Sequence, residues 1–147
     1  VIIPYVSMHG STKKMVHYLT ECLISRGIAV RPYDLGKADT GRLAMDLLDA
    51  ATIIIATPTV LFGPHPKAAH IAFLANILKP KAKLVGIIGS YGWGGKTVKD
   101  LGDMIHKLDV DVLDSVYIKG LPGEEAYAGL ENLADEILNK HREYNIL

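Results

Sequence analysis

Two short stretches of this chain, residues 52–57 (TIIIAT) and 84–88 (LVGII), are apolar without interruption, and few folds can absorb them. A strand with one wet face alternates apolar and polar residues, whereas a continuously apolar strand needs cover on both faces, as in a parallel sheet flanked by helices. Around these runs the periodicity switches regularly between strand and helix. Residues 1–6 form a first apolar run, and Met15, Leu19, Cys22 and Leu23 then recur at helical spacing up to Gly27, a stop signal. Residues 28–33 read as a second, more polar strand at an edge, followed by a short helix through Leu43, Ala44, Leu47 and Leu48. After the TIIIAT strand, Pro66 opens a helix carrying Ile71, Leu74, Ala75 and Leu78. The LVGII strand precedes Val98, Leu101, Ile105 and Leu108, again at helical spacing. Residues 112–118 are a last strand, and Leu130, Leu133, Ala134, Ile137 and Leu138 a last helical face. Five strands with intervening helices imply right-handed crossovers and an open, doubly wound α/β sheet with helices on both faces. Pro4 fits this plan poorly, because it removes a ladder donor from a strand expected at the centre.

The chain's 147 residues suit one domain, 1–147, with no internal linker. With 16 basic and 16 acidic residues the formal charge is zero, which argues against a general nucleic-acid binder. No apolar run approaches the roughly 20 residues that cross a bilayer, so no membrane partner is expected. The single cysteine, Cys22, excludes an intrachain disulfide and any CxxC motif, and a reducing cytoplasm is the expected compartment. The chain opens with Val1 inside an apolar run and without a cationic leader; this start is read as a cut, either an artificial one or one in a longer polypeptide.

In open α/β sheets, ligands bind beyond the carboxyl ends of the strands, where strand order reverses. Three segments lie there. Ser7-Met8-His9-Gly10-Ser11-Thr12 follows the first strand and leads straight into a helix. Small hydroxyl residues and a glycine let N–H and O–H groups converge on an anion at a helix N-terminus. Ser11 would cap that helix with or without a ligand. Lys13 and Lys14, however, stand in the first turn, where each cation opposes the helix dipole by roughly 0.3–1 kcal/mol; a bound phosphate reverses that penalty. The segment is neither a GxxxxGK[ST] loop nor a GxGxxG loop, and a phosphate monoester is the better match.

Pro58-Thr59-Val60-Leu61-Phe62-Gly63-Pro64-His65-Pro66 follows the third strand. Its apolar Leu61 and Phe62 suit the face of a flat ring, or else pack beneath the next helix. Gly89-Ser90-Tyr91-Gly92-Trp93-Gly94-Gly95 follows the fourth strand and sets a tyrosine and the only tryptophan among glycines. Bulky core residues normally flank a structural tryptophan, so ring contact is the favoured reading.

Ser7-Met8-His9-Gly10-Ser11-Thr12 resembles the flavodoxin phosphate loop, with His9 in place of a hydroxyl residue. Thr57-Pro58-Thr59 with Gly63 and Pro66, followed by the GSYGW string at 89–93, is similar to the flavodoxin-like domain of flavodiiron (A-type) flavoproteins. The similarity extends over essentially the whole chain, including Ile118-Lys119-Gly120-Leu121-Pro122, and there is no long insertion in the fifth strand. It implies a five-stranded parallel sheet of order 2-1-3-4-5 and FMN as cofactor. Ser7, Met8, His9, Gly10, Ser11 and Thr12 would take the phosphate. Pro58, Thr59, Val60, Leu61, Phe62 and Gly63 would line one side of the isoalloxazine, and Ser90, Tyr91, Gly92, Trp93 and Gly94 the other. The resemblance also implies an upstream metallo-β-lactamase-like domain with two irons that reduces dioxygen or nitric oxide. Rubredoxin, a deazaflavin or an NADH-linked reductase would be the electron donor, and the assembly a homodimer.

This chain departs from the family where many members carry an asparagine after Pro-Thr, since Leu61 and Phe62 stand here. Polar contacts to the pyrimidine edge then shift toward backbone groups. His9 adds a proton-dependent donor. The histidines are scattered and supply no metal site, His106 and His141 are expected on helix surfaces, and no side chain reads as a general acid or base. Two other readings share the topology: a flavodoxin-like NAD(P)H or quinone reductase, and a non-redox binding module such as a phosphoacceptor receiver. The first usually needs longer loops. The second needs acids at places held here by Ser7 and Pro58.

Overall fold

The computed structural model describes residues 1–92, 95–105 and 108–146. In chain order the elements are β1 (Ile2–Tyr5), α1 (Ser11–Ser25), β2 (Arg31–Asp34), α2 (Thr40–Asp49), β3 (Thr52–Val60) and β4 (Gly63–Pro64). Then come α3 (Pro66–Leu78), β5 (Leu84–Tyr91), α4 (Thr97–Ile105), β6 (Asp111–Val112), β7 (Val116–Lys119) and α5 (Glu124–Glu143). The sheet runs β2-β1-β3-β5-β6, with β7 also paired to β5 and only the short β4 antiparallel. Taking β6 and β7 as two pieces of one strand, this is the expected order 2-1-3-4-5. The break has a visible cause: the register slips by one residue between Val85↔Val112 and Ile88↔Val116, so the strand carries an extra residue, as at a bulge.

Alternation along the central strands explains their unbroken apolar character. Ile54, Leu84 and Ile88 join Leu19, Leu23, Leu133 and Ile137 in a core under α1 and α5. Ile53, Ile55, Val85 and Ile87 point the other way, into a core with Leu47, Ile71 and Leu101 under α2, α3 and α4. Both faces are dry, as parallel strands require.

The second strand starts at Arg31 rather than at residue 28, because Ile28 has another task. Gly27 takes φ 77° just past α1, with its N–H bonded to Ile24 O and the Ile28 N–H to Leu23 O. This is a Schellman stop with buried Ile28 over buried Leu23. Pro4 sits within β1, which pairs with β3 at Ile2 and Tyr5. Val6 N–H bonds Ala56 O, so by the two-residue alternation the ring nitrogen of Pro4 faces β3 too, where the ladder lacks that rung.

His141 overturns a sequence expectation. It lies in the last turn of α5 but is buried, with Nε2 2.6 Å from Thr52 Oγ1 at the start of β3. His106 lies outside the described residues. Arg26 clasps α1 to α5, donating to Glu131 at 2.7 Å, to Asp135 at 2.9 Å and to the Cys22 carbonyl. No helix among the described residues is long and apolar enough to cross a membrane.

Candidate functional site

The carboxyl ends of β1, β3, β5 and β7 meet along one edge. At the first, Gly10 takes φ 90° as N-cap of α1 and offers no side chain. Ser7 Oγ fills that role, accepting from the N–H groups of Gly10 and Lys13 at 3.2 Å each. The capping hydroxyl is therefore Ser7 and not Ser11, which is already the first helical residue. Ser11 and Thr12 are buried, and Thr12 Oγ1 has no hydrogen-bond partner in the protein. The first turn holds no acid, and Lys13 and Lys14 are exposed. Buried hydroxyls are nearly always paired, so an unpartnered one at the positive end of a helix is a candidate donor to an anion.

At the second edge the expected loop is regular structure. β3 continues through Pro58 to Val60, turns at Leu61 and Phe62, and returns as β4 through the pairs Thr59↔Pro64 and Val60↔Gly63. Both turn residues have positive φ, 49° and 66°, a conformation that two-residue hairpins normally give to Asn and Gly. They are 93% and 68% exposed, so neither packs beneath α3. The tip is tied down by Lys96 N–H bonded to Phe62 O at 2.7 Å. α3 then begins at Pro66, capped by His65, whose Nδ1 accepts from Lys67 N–H at 3.1 Å. Burial, with Lys67 nearby, lowers the His65 pKa, consistent with a neutral ring that can accept.

Behind the second and third edges runs a chain of hydroxyls. Thr59 Oγ1 lies 2.8 Å from Thr97 Oγ1 and 2.9 Å from Tyr117 Oη, and Tyr117 Oη donates to Thr57 O at 2.9 Å. Burial pushes the Tyr117 phenol above its ordinary pKa. The Tyr117 ring stacks on Tyr91, with centroids 6.0 Å apart and planes 5° from parallel.

These edges enclose a cavity of about 350 Å³, within the range of small-ligand sites. It brings together Ser7, Met8, His9, Ser11 and Thr12 from the first segment, Pro58, Thr59 and Val60 from the second, and Ser90, Tyr91 and Gly92 from the third. Gly10, Leu61, Phe62 and Gly63 are not among its lining residues, and Trp93 and Gly94 lie outside the described residues. Gly120 and Leu121, after β7, line it as well. The resemblance covers both without making them site residues, although a glycine directly after the last strand lies on the same edge by topology. Among the described residues no three His, Cys, Asp or Glu side chains gather as a metal site would need.

No protein-family model matches the chain. A coenzyme F420H2 oxidase of Methanocaldococcus jannaschii is 28% identical over 99% of this chain and 36% of that protein. Among solved structures, the rubredoxin oxygen:oxidoreductase of Desulfovibrio gigas superposes with a TM-score of 0.90 at 27% identity, over 97% of this chain and 36% of that one. A flavodoxin from the domain Archaea superposes at 0.81 with 20% identity, over 96% and 97% of the two chains, a likeness of fold. The chain spans about a third of the length of the curated relatives it matches.

Proposed function

This chain is a flavodoxin-like domain related to the flavodiiron proteins, and from that premise we propose that it binds FMN and carries electrons to a di-iron oxygen or nitric oxide reductase domain. The observation that carries the reading is Thr12 Oγ1, buried and unpartnered at the N-terminus of α1. It stands beside Ser7 and Ser11 at one end of a cavity whose other lining includes Pro58, Val60 and Tyr91. A polar, positively polarised end and walls carrying proline, valine and tyrosine fit a phosphate joined to a flat ring.

FMN, when bound, supplies reversible one- and two-electron chemistry. Thr12 and Ser11 donate hydroxyl bonds to the phosphate, with the first-turn N–H groups behind them and Lys13 and Lys14 offsetting its charge. Gly10, in its left-handed conformation, lets the backbone turn closely around that group. Pro58, Thr59 and Val60 hold one face of the ring, and Ser90, Tyr91 and Gly92 the other. Leu61, Phe62 and Gly63 would extend the first wall at its outer margin, while Trp93 and Gly94, assigned to the second wall from the sequence, lie outside the described residues. Met8 and Leu121, both exposed, also line the cavity. The working protein, in this reading, includes an upstream di-iron metallo-β-lactamase-like domain, pairs as a dimer, and takes electrons from a rubredoxin, deazaflavin or NADH-linked donor.

Titration with FMN and with riboflavin tests the core of this reading. FMN is expected to bind with quenched fluorescence and to exceed riboflavin by the contribution of the phosphate. A chain that takes up neither flavin would overturn it. Rapid NADH oxidation by the loaded chain alone would replace the carrier with a reductase.

A further inference from the structure

We infer that Tyr117, which does not line the cavity, is the positioning residue for both of its ring-facing walls. The inference rests on the FMN reading above.

The direction of every proton in the hydroxyl chain follows from one fact: a carbonyl only accepts. Tyr117 Oη donates to Thr57 O, and a phenol has one proton to give. The 2.9 Å contact with Thr59 Oγ1 must therefore be donated by Thr59. Thr59 has then spent its own proton, so Thr97 donates across the 2.8 Å gap to Thr59. The chain runs Thr97 to Thr59 to Tyr117 to the Thr57 carbonyl, with each donor fixed. It joins three elements: the start of α4, the end of β3 and β7.

Through its oxygen Tyr117 thus holds the segment that carries Pro58, Thr59 and Val60. Through its ring it backs Tyr91 on the opposite wall, planes 5° from parallel. Gly89 completes the seat: a Cβ there would lie 2.7 Å from Tyr117 Cε1, so the ring rests directly on the β5 backbone. One side chain outside the cavity consequently sets the separation of two walls that come from different loops. A phenol raised above its ordinary pKa keeps the donated proton through the neutral range.

Tyr117→Phe keeps the ring stack and removes the oxygen. In the 147-residue chain this substitution should raise the Kd for FMN and for riboflavin by the same factor, about tenfold, since one partly buried donor and one acceptor lose their partners. At saturating flavin the visible circular dichroism of the bound ring should change. Thr97→Val should act in the same direction more weakly, and the losses in the double variant should be less than additive, because both substitutions act on the partners of Thr59. Melting temperatures measured alongside separate positioning from folding. A variant that melts lower yet binds both flavins with wild-type Kd and dichroism overturns the proposal. So does a loss confined to FMN, which would put the effect at the phosphate end, and so do additive losses in the double variant. A wild-type chain that binds neither flavin removes the FMN reading itself, and this inference with it.

Discussion

Gly89 and Thr57 face each other across the ladder between β5 and β3 so closely that a Cβ on Gly89 would overlap the Thr57 carbonyl oxygen. That carbonyl is the terminus of the hydroxyl chain, and Gly89 itself takes φ 155°. Gly89→Ala should therefore destabilise the fold by roughly 2–5 kcal/mol, from steric overlap plus backbone strain. Urea unfolding would measure it, and a loss below about 1 kcal/mol, that of an ordinary substitution, would show that the two strands separate easily.

Thr12→Val separates the two roles of a buried hydroxyl. Without ligand, exchanging an unpartnered hydroxyl for a methyl should leave stability unchanged or raise it by up to about 1 kcal/mol. FMN affinity should fall by roughly tenfold or more, because a charge-assisted hydrogen bond is lost. Riboflavin affinity should not move. A destabilised variant with normal FMN binding would make Thr12 a packing residue.

The Leu61–Phe62 turn holds two non-glycine residues at positive φ with their side chains in water. Leu61→Asn with Phe62→Gly fits such a turn and should stabilise the chain by about 1–2 kcal/mol. If these side chains cover the ring margin, both flavins should bind more weakly to this more stable variant. Thermal melts and flavin titrations read the two effects, and unchanged affinity would assign the apolar tip to something other than the ring.

His141 sets an acid limit. Burial lowers its pKa, and its Nδ1 has no partner. The unfolded chain then binds the proton more readily, so stability should fall as pH drops below the ordinary histidine value of about 6.5. His141→Gln should flatten that slope between roughly pH 6.5 and 5. Parallel stability profiles for the two proteins would contradict this.

Cys22 should be inert. Burial, and next its hydrogen bond to the Glu131 carboxylate at 3.1 Å, push the thiol up to about 11. At pH 8 a disulfide reagent should modify the native chain about a hundredfold more slowly than the unfolded one, the ratio of thiolate present. Fast native labelling would mean that α1 and α5 part readily.

The sequence by itself determined the architecture. Unbroken apolar runs at 52–57 and 84–88 are stable only between two helical layers, and Gly27 and Pro66 marked where a helix stops and where one starts. Such signals are local, written in the spacing of neighbouring residues, and from them followed the edge on which the cavity opens. What the tertiary structure decided depends on residues far apart in the chain. Ser7 rather than Ser11 caps α1 because the loop folds back on its own N–H groups. β3 outruns its apolar stretch because β4 and Ser90 supply partners for residues 58–60. His141 is buried because the last turn of α5 comes to rest on Thr52, 89 positions earlier. Tyr117 gave no signal in the sequence, since its partners lie up to 60 positions away and meet it only once the sheet has brought β3, β5 and β7 side by side. Periodicity fixes which face a residue shows; only the packed strands fix what it meets there.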